Sequence, residues 1–204
     1  MSATPITPYN IMLSNLSNYN IILASNSPRR RELLSGLGID FEVKVLPDIE
    51  ESYPDTLTVS ETAEYIAKEK ADAYRQQMSD NDLIITADTV VIVGQEVLGK
   101  PTDDDDAYSM LRKISGCTHQ VITGVCMMTK DHMRSFSVAT DVTFKELSDK
   151  EIWHYIKTYK PYDKAGAYGI QEWIGYIGVT ALNGSYFNVM GFPVQRVYTE
   201  LQKI

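Results

Sequence analysis

The chain has 204 residues, 44% of them hydrophobic and 23% charged, with a formal net charge of -8 at pH 7. This is ordinary globular material, enough for one large domain or two small lobes around one cleft. The acidic balance argues against a nucleic-acid partner, and no apolar run reaches the roughly 18 residues of a membrane span.

Met1 to Asn18 is rich in Ser, Thr, Asn and Pro and lacks the basic-then-apolar order of a signal peptide. Residues 1–19 therefore read as a loose lead-in, with Ile11-Met-Leu13 able to dock, and residues 20–204 as a single domain. Ile21-Ile-Leu23 is a short strand that breaks at Ser25 and Asn26, and Ser27-Pro28 is a helix start. Arg29, Arg30 and Arg31 then fill the first turn, where the helix dipole disfavours cations. Either the arginines are solvated and tolerated, or a phosphate sits among them, the free N–H groups and the serines Ser25 and Ser27.

Phe41 to Leu46 alternates as a second strand, followed by the acidic loop Asp48-Ile-Glu-Glu-Ser52. Thr58 with Glu61 fits a capping box, and Ala63, Ile66, Ala67, Ala71 and Tyr74 recur at helical spacing. Leu83 to Ala87 is a near-continuous apolar strand that meets Asp88-Thr89 and resumes as Val90 to Val93. An aspartate between two such runs is costly to bury unless paired, hydrogen-bonded or bound to metal. It is the strongest isolated functional signal in the chain. Glu96 to Leu98 reads as a hairpin return. Thr102 then caps a helix whose dipole Asp103 to Asp106 complement, with Met110, Leu111 and Ile114 inward.

Two long strands, 119–128 and 136–144, suggest an antiparallel pair. His119 has no second histidine at ligand spacing, and Cys117 and Cys126 have no CxxC spacing, so zinc and disulfides are disfavoured and a reducing cytoplasm is the default. Ser148 with Glu151 opens a further helix, which Pro161 ends. In Tyr162 to Gln171 small residues permit close backbone approach, and Asp163, Lys164 and Gln171 supply polar groups. Ile174 to Leu182 reads as a glycine-containing strand, and Asn183-Gly-Ser185 as a turn able to hold phosphate. Pro193 starts the last helix. The expected fold class is α/β: a mixed, curved sheet with flanking helices and two lobes around a cleft.

Ala24-Ser-Asn-Ser-Pro-Arg-Arg-Arg-Glu-Leu-Leu34, Glu69-Lys-Ala71, Ala87-Asp-Thr89, Gly99-Lys-Pro101, Ile122-Thr-Gly-Val125, Asp163 to Gln171 and Asn183-Gly-Ser185 stand in one order. That ordered set resembles the Maf nucleoside triphosphate pyrophosphatases from about Ile21 onward. The resemblance implies the fold shared with inosine triphosphatases and cleavage of a nucleoside triphosphate to monophosphate and pyrophosphate. It also implies a divalent metal (Mg2+ or Mn2+) and a cytoplasmic, often homodimeric enzyme. By the resemblance Asp88 is the proton acceptor, Arg30, Lys70 and Lys100 are the cations for the triphosphate, and Glu51 is an acidic metal neighbour. Metal ligand and base stay open for Asp88. Members acting on dTTP and UTP carry the residues found here as Arg29, Thr89 and Gln171, whereas relatives acting on 7-methyl-GTP carry tryptophan at the first. A non-catalytic nucleotide-binding regulator linked to cell division could dispense with Asp88, and a pyrophosphatase for modified purine nucleotides would need other residues around the base.

Overall fold

A computed structural model describes residues 12–47, 49, 52–54 and 56–204. Seven strands form one mixed sheet: β1 (Asn20–Leu23), β2 (Glu42–Val43), β3 (Asp82–Val93), β4 (Glu96–Leu98), β5 (Thr118–Met128), β6 (Met133–Phe144) and β7 (Val179–Asn183). Their spatial order is β2-β1-β3-β5-β6-β7, with β4 on the remaining length of β3. β1 is parallel to both β2 and β3, and every later pairing is antiparallel. The helices are α1 (Pro28–Ser35), α2 (Thr62–Asp72), α3 (Asp104–Ile114), α4 (Asp149–Tyr159), α5 (Trp173–Gly178), α6 (Tyr186–Val189) and α7 (Val194–Leu201).

β3 organises the molecule because its alternating side chains serve both faces. Leu83 and Ile85 pack with Leu34 of α1 and with Val197 and Leu201 of α7, whereas Ile84 packs with Ala67 and Ala71 of α2 and with Tyr74 just beyond that helix. Farther along, Val91 joins a separate cluster built from α3, α4 and Ile174 of α5. The face that carries α1 therefore holds two lobes, and the middle of β3 runs between them. β1 pairs with β3 only as far as Ile85, and β4 begins opposite Val91. That edge of β3 is open in between. It lies beyond the carboxyl end of β1, where the chain has gone to β2 on one side and returned to β3 on the other. Such a switch point is where open α/β sheets place their ligands.

Several expectations needed correction. The second strand shrinks to Glu42–Val43, because it has only the last two residues of β1 to pair with. Thr58 does bond Glu61 as in a capping box, but this closes a turn, and α2 starts at Thr62. Asp103, not Thr102, caps α3, accepting from the Asp106 N–H at 2.8 Å. The supposed strand from Ile174 begins as α5 and turns to strand only at Val179. A side chain at Gly175 would put its Cβ 1.9 Å from the Ile170 carbonyl, so that glycine serves helix packing. Ser27 and Ser148 cap α1 and α4 as expected. Leu13 and Leu16 are buried against the α7 side of the core, and Asn15 donates to the Leu201 carbonyl at 2.8 Å. Packing thus begins before β1.

Candidate active site

A cleft of about 470 Å3 opens at the end of β1, and every residue expected to act in catalysis, in base selection or, from the β1–α1 turn, on phosphate lines it, Glu51 excepted. Glu51 lies outside the described residues. Ser25 and Ser27 stand in the turn from β1 into α1, where the Ser25 hydroxyl accepts from the Ser27 N–H at 3.3 Å. The Asn183-Gly-Ser185 turn does not line the cleft. Ser185 caps α6 instead, accepting from the Asn188 N–H at 3.4 Å.

The arginines of the first turn separate by direction. Arg30 turns into the sheet and donates to the carbonyls of Ala87 at 2.7 Å and Gly191 at 2.9 Å, and to the Thr89 hydroxyl at 3.1 Å. The Ala87 carbonyl is one that the open edge of β3 leaves without a strand partner, so the guanidinium replaces a ladder bond. Arg29 crosses to Asp163 on the opposite lobe at 3.1 Å. Burial works to raise the Asp163 carboxyl, but hydrogen bonds and charge from Lys164, then Arg29, outweigh it and hold the group below its ordinary range. Two of the three cations that oppose the α1 dipole thus bond to named protein oxygens.

Asp88 and Thr89 leave β3 on opposite faces. Asp88, 9% exposed, accepts from Lys70 at 2.8 Å. Lys70 is placed by how α2 lies on the sheet. Gly124 stands opposite Asp88 in the β3–β5 ladder, and a Cβ there would fall 2.3 Å from the Ala63 carbonyl of α2. The Thr86 hydroxyl meanwhile donates to Ala67 O at 2.6 Å. Only a glycine lets the helix backbone come this close, and the last turn of α2 then carries Lys70 over Asp88. Thr89 shares a hydrogen bond of 2.9 Å with Thr123, which donates to the Asn188 carbonyl at 3.1 Å. Lys100 is exposed and has no hydrogen bond or ion pair among the described residues, and its loop is held where Gly166 N–H donates to Gly99 O at 2.9 Å.

Gln171 faces the cleft from the far lobe. Its Oε1 is buried and has no hydrogen-bond partner among the described residues. Its Nε2 lies 2.9 Å from where a Cβ on Gly169 would sit, so the glycine makes room for the amide. Around it Tyr155 donates to Glu172 and accepts from the Gly169 N–H at 3.0 Å. Burial, then that contact with Glu172, push the Tyr155 hydroxyl well above its ordinary value. Among the described residues no group of three His, Cys, Asp or Glu side chains gathers at metal-binding spacing.

Sequence reasoning missed Tyr155, Glu172 and the Gly191 carbonyl. Tyr155 continues the helix that Ser148 opens and is buried there, and nothing local marks it, Glu172 or Gly191 as neighbours of the cleft.

The model of a family described as "Maf-like protein" matches residues 20–204. A protein of Phocaeicola vulgatus named dTTP/UTP pyrophosphatase is 66% identical over 95% of this chain and 100% of its own length. One of Parabacteroides distasonis with the same name is 60% identical over 94% of this chain and 99% of its own. The solved structure of a HAM1 protein from Coxiella burnetii aligns over 91% of this chain and 100% of that one, at 15% identity and a TM-score of 0.46. A family match running from the first residue of β1 through α7, with relatives this similar along nearly their whole length, means that the chain belongs to the Maf family.

Proposed function

We propose that this chain is a nucleoside triphosphate pyrophosphatase that hydrolyses dTTP and UTP between the α and β phosphates, releasing monophosphate and pyrophosphate. One observation carries the reading: the Lys70–Asp88 pair, Arg30 and Lys100 face one cleft in an acidic protein. The substrates follow the names of the relatives, and Arg29, Thr89 and Gln171 beside the same cleft support that choice. Phosphoryl chemistry is mostly positioning and charge neutralisation. In this reading Arg30, Lys70 and Lys100 neutralise the triphosphate, while Ser25, Ser27 and the first N–H groups of α1 take phosphate oxygens. Asp88 orients and deprotonates the attacking water.

Asp88 is also the residue that would hold a divalent cation, Mg2+ or Mn2+. Its Oδ2 has no hydrogen-bond partner among the described residues, and hard cations favour one or two carboxylates together with substrate phosphates. Glu51 is the second candidate ligand. Bound there, the cation would neutralise charge developing on the phosphates. We read the enzyme as cytoplasmic, in keeping with two unpaired cysteines. We read it as a homodimer because exposed Tyr176 and Phe187 stand near β7, one of the two edge strands of the sheet order.

The unpaired Gln171 acceptor is central to selectivity. An amide can match the acceptor and donor edge of uracil or thymine, and a wrong base leaves its buried polar atoms unpaired. The test is kcat/KM for pyrophosphate release from dTTP, UTP, CTP, ATP, GTP and 7-methyl-GTP, with Mg2+, with Mn2+ and with chelator. dTTP and UTP should lead, and Gln171→Glu should damage that preference more than it damages phosphate binding. A native preference for purines would sink the substrate assignment, and no pyrophosphate from any nucleotide would sink the enzyme.

A further inference from the structure

We propose that Lys164 is a base-recognition residue that donates an N–H to a ring carbonyl of the pyrimidine. The inference rests on the reading that the base lies against Gln171. Lys164 lines the cleft yet is only 8% exposed, an unusual position for a lysine. Its ammonium contacts Asp163 at 2.7 Å and Glu172 at 3.2 Å. These are its two hydrogen-bonding or ionic partners among the described residues, so of three N–H donors one remains for the cleft.

Charge decides what that donor can meet. Arg29 also pairs with Asp163, so two cations and two carboxylates sum to a local charge of about zero, and the Lys164 ammonium, already neutralised, exerts little net pull on a phosphate. A neutral carbonyl needs no net charge to bind and still accepts a charge-assisted hydrogen bond. Position agrees. Glu172 follows Gln171 directly, its other carboxylate oxygen accepts from Tyr155, and Tyr155 in turn accepts from the Gly169 N–H beside the Gln171 amide. The network that runs beside Gln171 therefore also holds Lys164. A uracil or thymine edge presents two carbonyls flanking one N–H. The Gln171 amide serves one carbonyl and the N–H, which leaves a second carbonyl in need of a donor.

The experiment compares kcat/KM for UTP, 2-thio-UTP and 4-thio-UTP, because sulfur is a weaker acceptor than oxygen. The proteins are the native enzyme, Lys164→Met, and Lys164→Met with Glu172→Gln, which relieves one stranded carboxylate should the single variant fold poorly. The native enzyme should disfavour the analogue with sulfur at the contacted carbonyl. In the variants UTP should fall about 10- to 100-fold while that analogue falls little, so their ratio moves toward one. A uniform loss on all three nucleotides would make Lys164 a phosphate cation or a structural tie and overturn the proposal. So would unchanged ratios in the variants, or a native enzyme that cleaves the three equally. A native preference for purines would instead count against the substrate reading above.

Discussion

Asp88 and Lys70 meet at 2.8 Å on the α2 side of β3, while Arg30 reaches the same strand from the other side through Ala87 and Thr89. The two contacts differ in what a substitution would remove. Asp88→Asn keeps the shape and most hydrogen bonding while losing the charge and the base. Pyrophosphate release should fall about 100- to 10,000-fold with the cooperative thermal unfolding retained. A folded variant with near-native turnover would remove Asp88 from the mechanism. Arg30 is structural as well as cationic, because its guanidinium satisfies backbone carbonyls from β3 and from the turn before α7. Lysine keeps the charge but cannot fork to several acceptors. Arg30→Lys should therefore cost about 1–3 kcal/mol in urea unfolding as well as activity. If its stability matched the native protein, the backbone ties would be incidental.

At the scale of elements, the chemistry depends on how closely α2 lies against β5. Gly124→Ala would put a Cβ 2.3 Å from the Ala63 carbonyl, and both partners are backbone, so one element must move. The expected result is about 1–3 kcal/mol of destabilisation and a loss of kcat from an enzyme with no altered cleft residue, because Lys70 is carried off Asp88. An alanine variant with native kcat would show that α2 has slack. Much of this was legible in the sequence. The apolar run from Leu83 announced a buried strand, the serines before Pro28 and Glu151 announced helix starts, and most of the ordered motifs hold residues that line the cleft, though Ile122 to Val125 and Asn183-Gly-Ser185 do not. What misled was local signal without tertiary context. Ile174 to Leu182 is strand-like in composition, yet its first part coils against the Ile170 backbone and Phe144. Tyr155 and the Gly191 carbonyl matter through partners far along the chain, which no local pattern encodes.

For the whole molecule, the lobe beyond Thr89 is held by a core that encloses a buried histidine. His119 is 2% exposed, bonds Tyr168 through Nε2 at 2.7 Å, and packs near Phe144 at 5.5 Å between ring centroids. Its Nδ1 has no partner among the described residues, and burial pulls its pKa from 6.5 down to about 4. Tyr168 offers no counter-charge, since burial drives its hydroxyl above the ordinary range. The folded protein therefore prefers the neutral ring, and the unfolded chain binds a proton more readily. Stability from this site is complete above about pH 6.5 and is lost progressively as pH falls toward 4. The drop corresponds to about 3 kcal/mol for a shift of this size. His119→Gln can still hydrogen-bond Tyr168 but does not titrate. Urea unfolding from pH 7 to pH 4 should show the native protein losing about 3 kcal/mol more than this variant over that interval. The variant is expected to begin less stable at pH 7, because an amide packs less well than a ring among Phe144 and Tyr168. Parallel curves for the two proteins would mean that His119 protonates in place, with water reaching Nδ1, and that the acid sensitivity of the fold lies in its carboxylates.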